Sequence, residues 1–475
     1  MMPSFPGFCL VTCGLLLTLN LALFLPRGVG QEFAPTDFWE QVQTRHPLAR
    51  QAALLVSQGA QELRYARGAF DPKAYASHEQ KIFGDKTYYS YGGGGIKLPT
   101  AWGIALKAGY DWTSPNGVYL NPERNIPAGG QALIGLEIPL LRGLLFDEGR
   151  AEWRQAQVGQ DRYQALADEL RNMLFLESQK AYWEWSFAYY AQQIALDAQA
   201  YSRERLTAIR QSFLVGDNPA IDTLEAFLQL QSWQLETQEA SLLQLQAVAT
   251  MQTMLWDEQG QPLTWNAGWV PVHPAQAFET PDFADLQQRL LEHPSLVGYQ
   301  RQLEQLAIER RWKQEQFKPE LTFNYNLLAD RFDFNPGTSN DGLNNLVTNN
   351  FKWGFTFSQA LFLRKERAGL ALTEIKIAQT EWKRDLKQQE LTAKLNAYWQ
   401  EWQTRQQQLS LAQAMTSNYD SLLAAEQVKF ELGESSVFLL NSRQQKLLNA
   451  QLKLLKTQAD LQKNSVALWY IAGRN

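Results

Sequence analysis

Cysteine is almost absent from this chain of 475 residues: Cys9 and Cys13 are the only two, and both lie in the first apolar stretch. Beyond them there is neither a disulfide framework nor thiol chemistry. Long apolar runs are scarce as well. After the stretch from Phe8 to Leu25 nothing stays apolar for the 18 or so residues that a membrane helix needs, so any membrane crossing must use strands. Positive charge is not in excess. With Arg27 set aside as part of a leader, 43 basic residues face 49 acidic ones, a net charge of −6 that argues against nucleic acid as a partner.

Chemistry-bearing patterns are missing too. The four histidines are His46, His78, His273 and His293; two of them, His46 and His293, precede proline at matching places, which fits a helix start better than metal ligation. The run from Gly92 to Gly95 is not followed by the Lys-Ser/Thr pair or the helix start of a phosphate loop. No nucleophile stands beside a base. The chain therefore reads as having no catalytic residue, no metal and no cofactor.

What is present begins with an address. The apolar run ends at Gly28-Val29-Gly30, small residues suited to a signal peptidase before Gln31, so residues 1–30 are expected to be a secretory signal peptide, with an uncleaved anchor as the alternative because no Lys or Arg precedes the run. Cys13 sits at the start of that run and not at its end, which excludes lipoprotein acylation there.

The rest of the chain repeats itself. His46-Pro47 returns as His293-Pro294, and Ala69-Phe70-Asp71-Pro72 as Gln316-Phe317-Lys318-Pro319, both displaced by 247 residues. Arg150-Ala151 matches Arg367-Ala368, Ala181-Tyr182-Trp183 matches Ala397-Tyr398-Trp399, and Phe213 to Gly216 matches Phe430 to Gly433, at a displacement of 216 or 217. Such a long period implies two copies of a half-molecule, the first carrying about 30 extra residues between Pro72 and Arg150. The expected division is a first repeat over 31–281, with a β-hairpin region at about 72–141, a long helical hairpin over 143–256 and a linker over 257–281. The second repeat covers 282–475, with a β-hairpin over 319–362 and a helical hairpin over 363–472.

From Asp147 to about Leu214, and from Arg364 to about Leu432, the chain runs without proline and is rich in Ala, Leu, Gln, Glu, Lys and Arg, which predicts two helices of roughly 100 Å at about 1.5 Å per residue. Stripes such as Leu391, Leu395, Tyr398, Trp402 mark faces for coiled-coil-like packing. Shorter partners, about Pro219 to Trp256 and Ser436 to Ala472, must return antiparallel after a glycine-containing turn. The aromatic groups at Ala181-Tyr182-Trp183-Glu184-Trp185 and Ala397-Tyr398-Trp399 are expected to fill seams between helices. Helices over Pro47–Gly68 and Pro294–Gln316 precede the strands, with proline in the first turn.

Between helices the period drops to two. Leu321, Phe323, Tyr325 and Leu327 oppose Thr322, Asn324 and Asn326; Phe351, Trp353, Phe355 and Phe357 oppose Lys352, Gly354, Thr356 and Ser358. In the first half Leu106, Ala108, Tyr110 and Trp112 form one face, and Ala132, Ile134, Leu136 and Ile138 form the return face; residues 116–130 and 331–350 read as loops. The stretch 72–98 is assigned either to the first strand or to an extra element beside it. Four strands of about ten residues have the length of tilted barrel strands, yet are too few to close a channel, so several copies must close it together.

Leader, duplicated helix–strand–strand–helix halves, aromatic-faced hairpins and very long helices together resemble the TolC-like outer-membrane efflux protein family over essentially the whole chain. Within it, Ile138-Pro139-Leu140-Leu141-Arg142-Gly143 resembles the strand exit, Arg150-Ala151 and Arg367-Ala368 the helix starts, and Gly216 followed by Asp222-Thr223-Leu224-Glu225-Ala226 the far end of the helical hairpin. In the second half Gly433 is kept, but Leu439-Leu440-Asn441 stands where the resembled family has Asp-Val-Leu. The resemblance implies a mainly α fold with transmembrane β: a homotrimer with twelve strands, four per chain, in one barrel facing outer-membrane lipid, continued as a periplasmic α-barrel. It implies a passive exit channel of a tripartite efflux pump, docked to a periplasmic adaptor and an inner-membrane transporter. A type I secretion duct is the nearest alternative; a periplasmic adaptor or a structural coiled-coil protein is the alternative of another class. Candidate gate residues are the carboxylates near the tips, Asp217, Asp222, Glu225 and Glu434, carried on turns at Gly216 and Gly433.

Overall fold

The computed structural model describes residues 31–114, 126–127, 130–216, 219–276, 282–329 and 350–473. The expected signal peptide, Asp217 and most of both expected strand loops lie outside these residues.

Helices begin where capping chemistry starts them. His46 separates α1 (Pro35–Arg45) from α2 (Pro47–Arg67), and its Nδ1 accepts the Leu48 N–H at 3.2 Å. After α5 (Phe283–Leu290), His293 does the same for the Ser295 N–H, also at 3.2 Å, at the head of α6 (Pro294–Glu315). Each following proline lacks an N–H that would have no helical partner there anyway. The paired histidines are therefore N-caps.

Two helical hairpins dominate the molecule. The first joins α3 (Glu148–Leu214) to α4 (Ala220–Met254); the second joins α7 (Arg364–Glu431) to α8 (Val437–Ile471). At about 1.5 Å per residue each long arm spans roughly 100 Å. No helix among the described residues is long and apolar enough to cross a membrane.

The thickest core lies partway along α3. A short parallel pair, β1 (Gln31–Phe33) with β6 (Trp269–Pro271), crosses over the first aromatic group. Tyr182 and Trp185 are fully buried there. The Tyr182 hydroxyl donates to the Phe33 carbonyl at 2.7 Å and accepts the Val272 N–H at 3.0 Å, while Ser186 donates to the Val272 carbonyl at 2.7 Å. The stretch read as a linker thus does more than connect, because its residues 269–272 are bonded into this core. In the second hairpin Trp399 stacks on Trp402 at 5.1 Å, in a core shared with α5 and α8.

The strands form one antiparallel sheet in the order β2 (Lys73–Phe83), β3 (Lys86–Pro99), β4 (Ala105–Ser114), β5 (Gln131–Pro139), β7 (Glu320–Ala329), β8 (Phe351–Ser358). The four expected strands are β4, β5, β7 and β8, and β5 joins β7 so that the halves share one sheet. Among the described residues this sheet has six strands, two more than the four expected. The stretch left open at 72–98 is an additional hairpin, β2–β3, paired onto β4. Its first strand, Lys73-Ala74-Tyr75-Ala76-Ser77-His78-Glu79, lacks the apolar alternation that marks the others, and the glycine run in β3 carries no side chains to show a period.

Candidate functional site

The sheet has two chemically distinct faces, and the register shows which residues share them. One cross-strand line runs Leu98, Leu106, Leu136, Tyr325, Trp353, and the next Ile96, Ala108, Ile134, Leu327, Phe351. Leu106, Ile134, Leu136, Phe351, Trp353, Phe355 and Phe357 are exposed on this face. A patch of this kind on a water-facing sheet would be costly, whereas it matches a hydrocarbon surface.

The opposite face is polar. Asn324, Asn326 and Lys352, expected opposite the apolar residues, lie on it together with Glu137, which pairs with Lys97 at 3.0 Å and with Lys107; Lys107 also reaches Asn324 at 3.4 Å. Glu137 and Lys97 were not singled out in the sequence. Glu137 was nonetheless visible there, standing at a non-apolar position between Leu136 and Ile138.

The strands feed directly into the helices through a clamp. Gly143, with φ of +87°, turns the chain after β5, and Asp147 caps α3 by accepting the Arg150 N–H at 2.8 Å. The buried Arg150 guanidinium donates to the carbonyls of Leu144 and Leu145, each at 3.1 Å, and of Gly143, and pairs with Asp147 at 3.0 Å. Such charge-assisted bonds exceed neutral ones in strength. Arg142 adds an ion pair to Glu320 at 2.9 Å, joining the exit of β5 to the start of β7. Sequence reading marked Arg150 only as a helix start, because the carbonyls it binds converge only after the turn has formed. The matching Arg367 is exposed.

At the far end both hairpins turn on glycines in the left-handed region, Gly216 with φ of +86° and Gly433 with φ of +76°. Nothing lies within 4 Å of where a Cβ would stand at either, so conformation alone demands glycine. The tips lie at the same end of the molecule, since Leu206 and Ile209 of α3, Ala226 and Leu230 of α4, Phe430 of α7 and Val437 of α8 form one apolar cluster.

Of the candidate gate residues, Asp222 and Glu225 lie in the first two turns of α4, partly exposed, and Glu434 lies exposed in the second turn. Asp217 falls outside the described residues. Asp222 stands near a helix N-terminus, where negative charge is favoured.

The departure at Leu439-Leu440-Asn441 acquires a role. Leu440 and Asn441 are buried, and Asn441 Oδ1 accepts from Arg205 of α3 at 2.8 Å, so this stretch binds the two hairpins together. A second tie was not foreseen. Ser435 donates to Glu426 at 2.6 Å and Arg443 donates to the same carboxylate at 3.3 Å, bracing the second turn. The Ser435 hydroxyl foremost, and Arg443 after it, hold the Glu426 carboxyl below the usual range.

A polar-faced sheet running through a clamped turn into paired helices of such length has the build of a wall. Comparison with known proteins shows what this fold resembles. Residues 286–474 match the family described as Outer membrane efflux protein. The whole fold agrees with solved outer-membrane channels. The open state of the MtrE channel of Neisseria gonorrhoeae aligns with a TM-score of 0.67 at 13% identity, over 92% of this chain and 88% of that one. The CmeC outer membrane channel of Campylobacter jejuni gives 0.64 at 13% identity, over 92% and 85%. The outer membrane protein VceC of Vibrio cholerae gives 0.63 at 14% identity, over 92% and 95%. No curated protein matches by sequence. The fold is that of these solved outer-membrane channels.

Proposed function

We propose that this chain is one protomer of a homotrimeric outer-membrane exit channel serving a tripartite efflux pump, passively releasing what an inner-membrane transporter delivers through a periplasmic adaptor. The observation that carries the reading is continuity: a sheet with an apolar outer face and a charged inner face passes through the Arg150 clamp straight into an arm of roughly 100 Å.

Assembly with further copies is supported by unpartnered stripes. On α4 the exposed residues Ile221, Leu224, Leu228, Leu235, Leu242 and Leu245 follow heptad spacing. On α7 Leu372, Ile375, Trp382 and Leu386 form a comparable exposed face. Pairing these faces between copies would cover both and wrap the helices into a tube.

Within that tube the tip carboxylates Asp217, Asp222, Glu225 and Glu434 form the gate region, where three-fold repetition would concentrate negative charge and favour cations. Conductance recordings on bilayers test this. Asp217→Asn combined with Asp222→Asn should lower cation selectivity, and unchanged selectivity and conductance would remove these residues from the gate. Recovery of the native chain from the soluble periplasm, and not from outer membranes, would refute the channel itself.

A further inference from the structure

The extra hairpin changes how the barrel can close. The sheet is open among the described residues, with β2 and β8 as its edges. All eleven residues of β2 are exposed, as are most of β8. In a bilayer each unpaired backbone group would cost several kcal/mol, so both edges need partners there. We propose that β2 of one copy pairs with β8 of the next, so that three copies close a barrel of about 18 strands, where four strands per chain would give about twelve. The proposal rests on the channel reading and specifies its membrane seam.

Direction permits this closure. Every neighbouring pair in the sheet is antiparallel, so along the order β2-β3-β4-β5-β7-β8 the two edge strands run in opposite senses. Setting β8 beside β2 of a second copy therefore continues the antiparallel alternation. The side chains suit each other as well. Ala74 and Ala76 lie on the outer face of β2, small enough to leave room beside Phe351, Trp353 and Phe355 of β8.

The alternative closure, β8 against β4, requires β3 to leave, and four features hold β3 in place. Its register on β4 is continuous from Ser90 opposite Ser114 to Pro99 opposite Ala105. The glycine run is moulded to its neighbours: a Cβ at Gly92 would stand 2.5 Å from the Trp112 indole, and one at Gly93 would meet the Asp111 carboxylate. From β2, the Tyr75 hydroxyl reaches across β3 to lie 2.9 Å from the Cβ positions of both Gly95 and Gly109. On the inner face Lys97 of β3 shares Glu137 of β5 with Lys107 of β4, so three strands are tied by one carboxylate. The four consecutive glycines thus serve as the seat of a permanent third hairpin. Because barrel diameter grows roughly linearly with strand number, the lumen would be about 1.5-fold wider than with twelve strands.

Cysteine pairs in the full-length chain test the seam, since no cysteine follows Cys13. Lys73→Cys or Ser77→Cys is combined in turn with Lys352→Cys, Gly354→Cys or Thr356→Cys, all on the inner face, and outer membranes are oxidised. Covalent dimers and trimers from at least one combination are expected. Lys97→Cys with Lys107→Cys, on directly opposed residues, should form a bond within one chain and leave its size unchanged. Lys107→Cys with Lys352→Cys reports the other closure: cross-linked copies from that pair, with none from the β2–β8 pairs, would overturn the proposal. Absence of cross-linked copies from every pair in a chain still found in outer membranes would also overturn it. Recovery of the chain in the soluble fraction would instead defeat the channel reading on which it rests.

Discussion

The two long helices are nearly the same length and could hardly be treated more differently by the fold. Of the 67 residues of α3, 22 are buried, among them Tyr182 and Trp185; of the 68 residues of α7, seven are buried. Yet α7 is no more polar in design, since Leu372, Ile375, Trp382, Leu386 and Leu411 stand exposed along it. One long helix builds the core of the chain, and the other leaves a large apolar surface exposed. Two helices of nearly equal length thus differ in burial because of where they lie in the fold.

The strongest way to break that contrast is to charge the uncovered face. Trp382→Lys with Leu386→Lys should prevent the proposed trimer from forming, leaving monomers in native mass spectrometry with helical content by circular dichroism unchanged. Trp185→Ala should act in the opposite manner, costing about 3–5 kcal/mol of protomer stability through lost burial and a cavity, read as a lowered midpoint in denaturant. The clamp sharpens the comparison further. Arg150→Met should cost about 3–5 kcal/mol by leaving Asp147 and three carbonyls without their cation, whereas Arg367→Met, at an exposed site, should stay within about 0.5 kcal/mol in the same unfolding experiment. Tyr182→Phe should cost about 1–3 kcal/mol, because the Phe33 carbonyl and the Val272 N–H would lose their shared partner.

A last prediction concerns pH. Burial, aided by Lys387, pushes the His293 imidazole down to about 4 from an ordinary value near 6.5. Its neutral form is the one the fold accepts, so its contribution is full above about pH 6.5 and is lost as pH falls toward 4, by about 3 kcal/mol at most. His293→Asn keeps a capping side chain without the titration, and should flatten the stability profile between those values in thermal melts.

Much of this architecture was legible from residues because it rests on local rules. Proline after His46 and His293, Asp147 before α3 and glycine after each long arm placed the helix ends within a residue or two, since caps act on the nearest backbone groups. The faces of β4, β5, β7 and β8 were equally plain from alternation. The hairpin β2–β3 escaped because Lys73-Ala74-Tyr75-Ala76-Ser77 alternates in no useful way and four glycines carry no pattern. Among the site residues, Asp222, Glu225 and Glu434 were placed near the tips by spacing from Gly216 and Gly433, but the Glu426–Ser435–Arg443 tie was not, because its members meet only across the second turn.

By itself the sequence determined where the long helices and the strands β4, β5, β7 and β8 run and which of their faces are apolar, because periodicity and capping are properties of neighbours along the chain. Only the tertiary structure decided that Arg150 is a clamp and Arg367 is not, that Asn441 answers Arg205 across the two hairpins, and that six strands, edged by β2 and β8, make the sheet. These depend on groups hundreds of residues apart, or on backbone carbonyls that converge only after a turn has closed, and such convergence leaves no period to read.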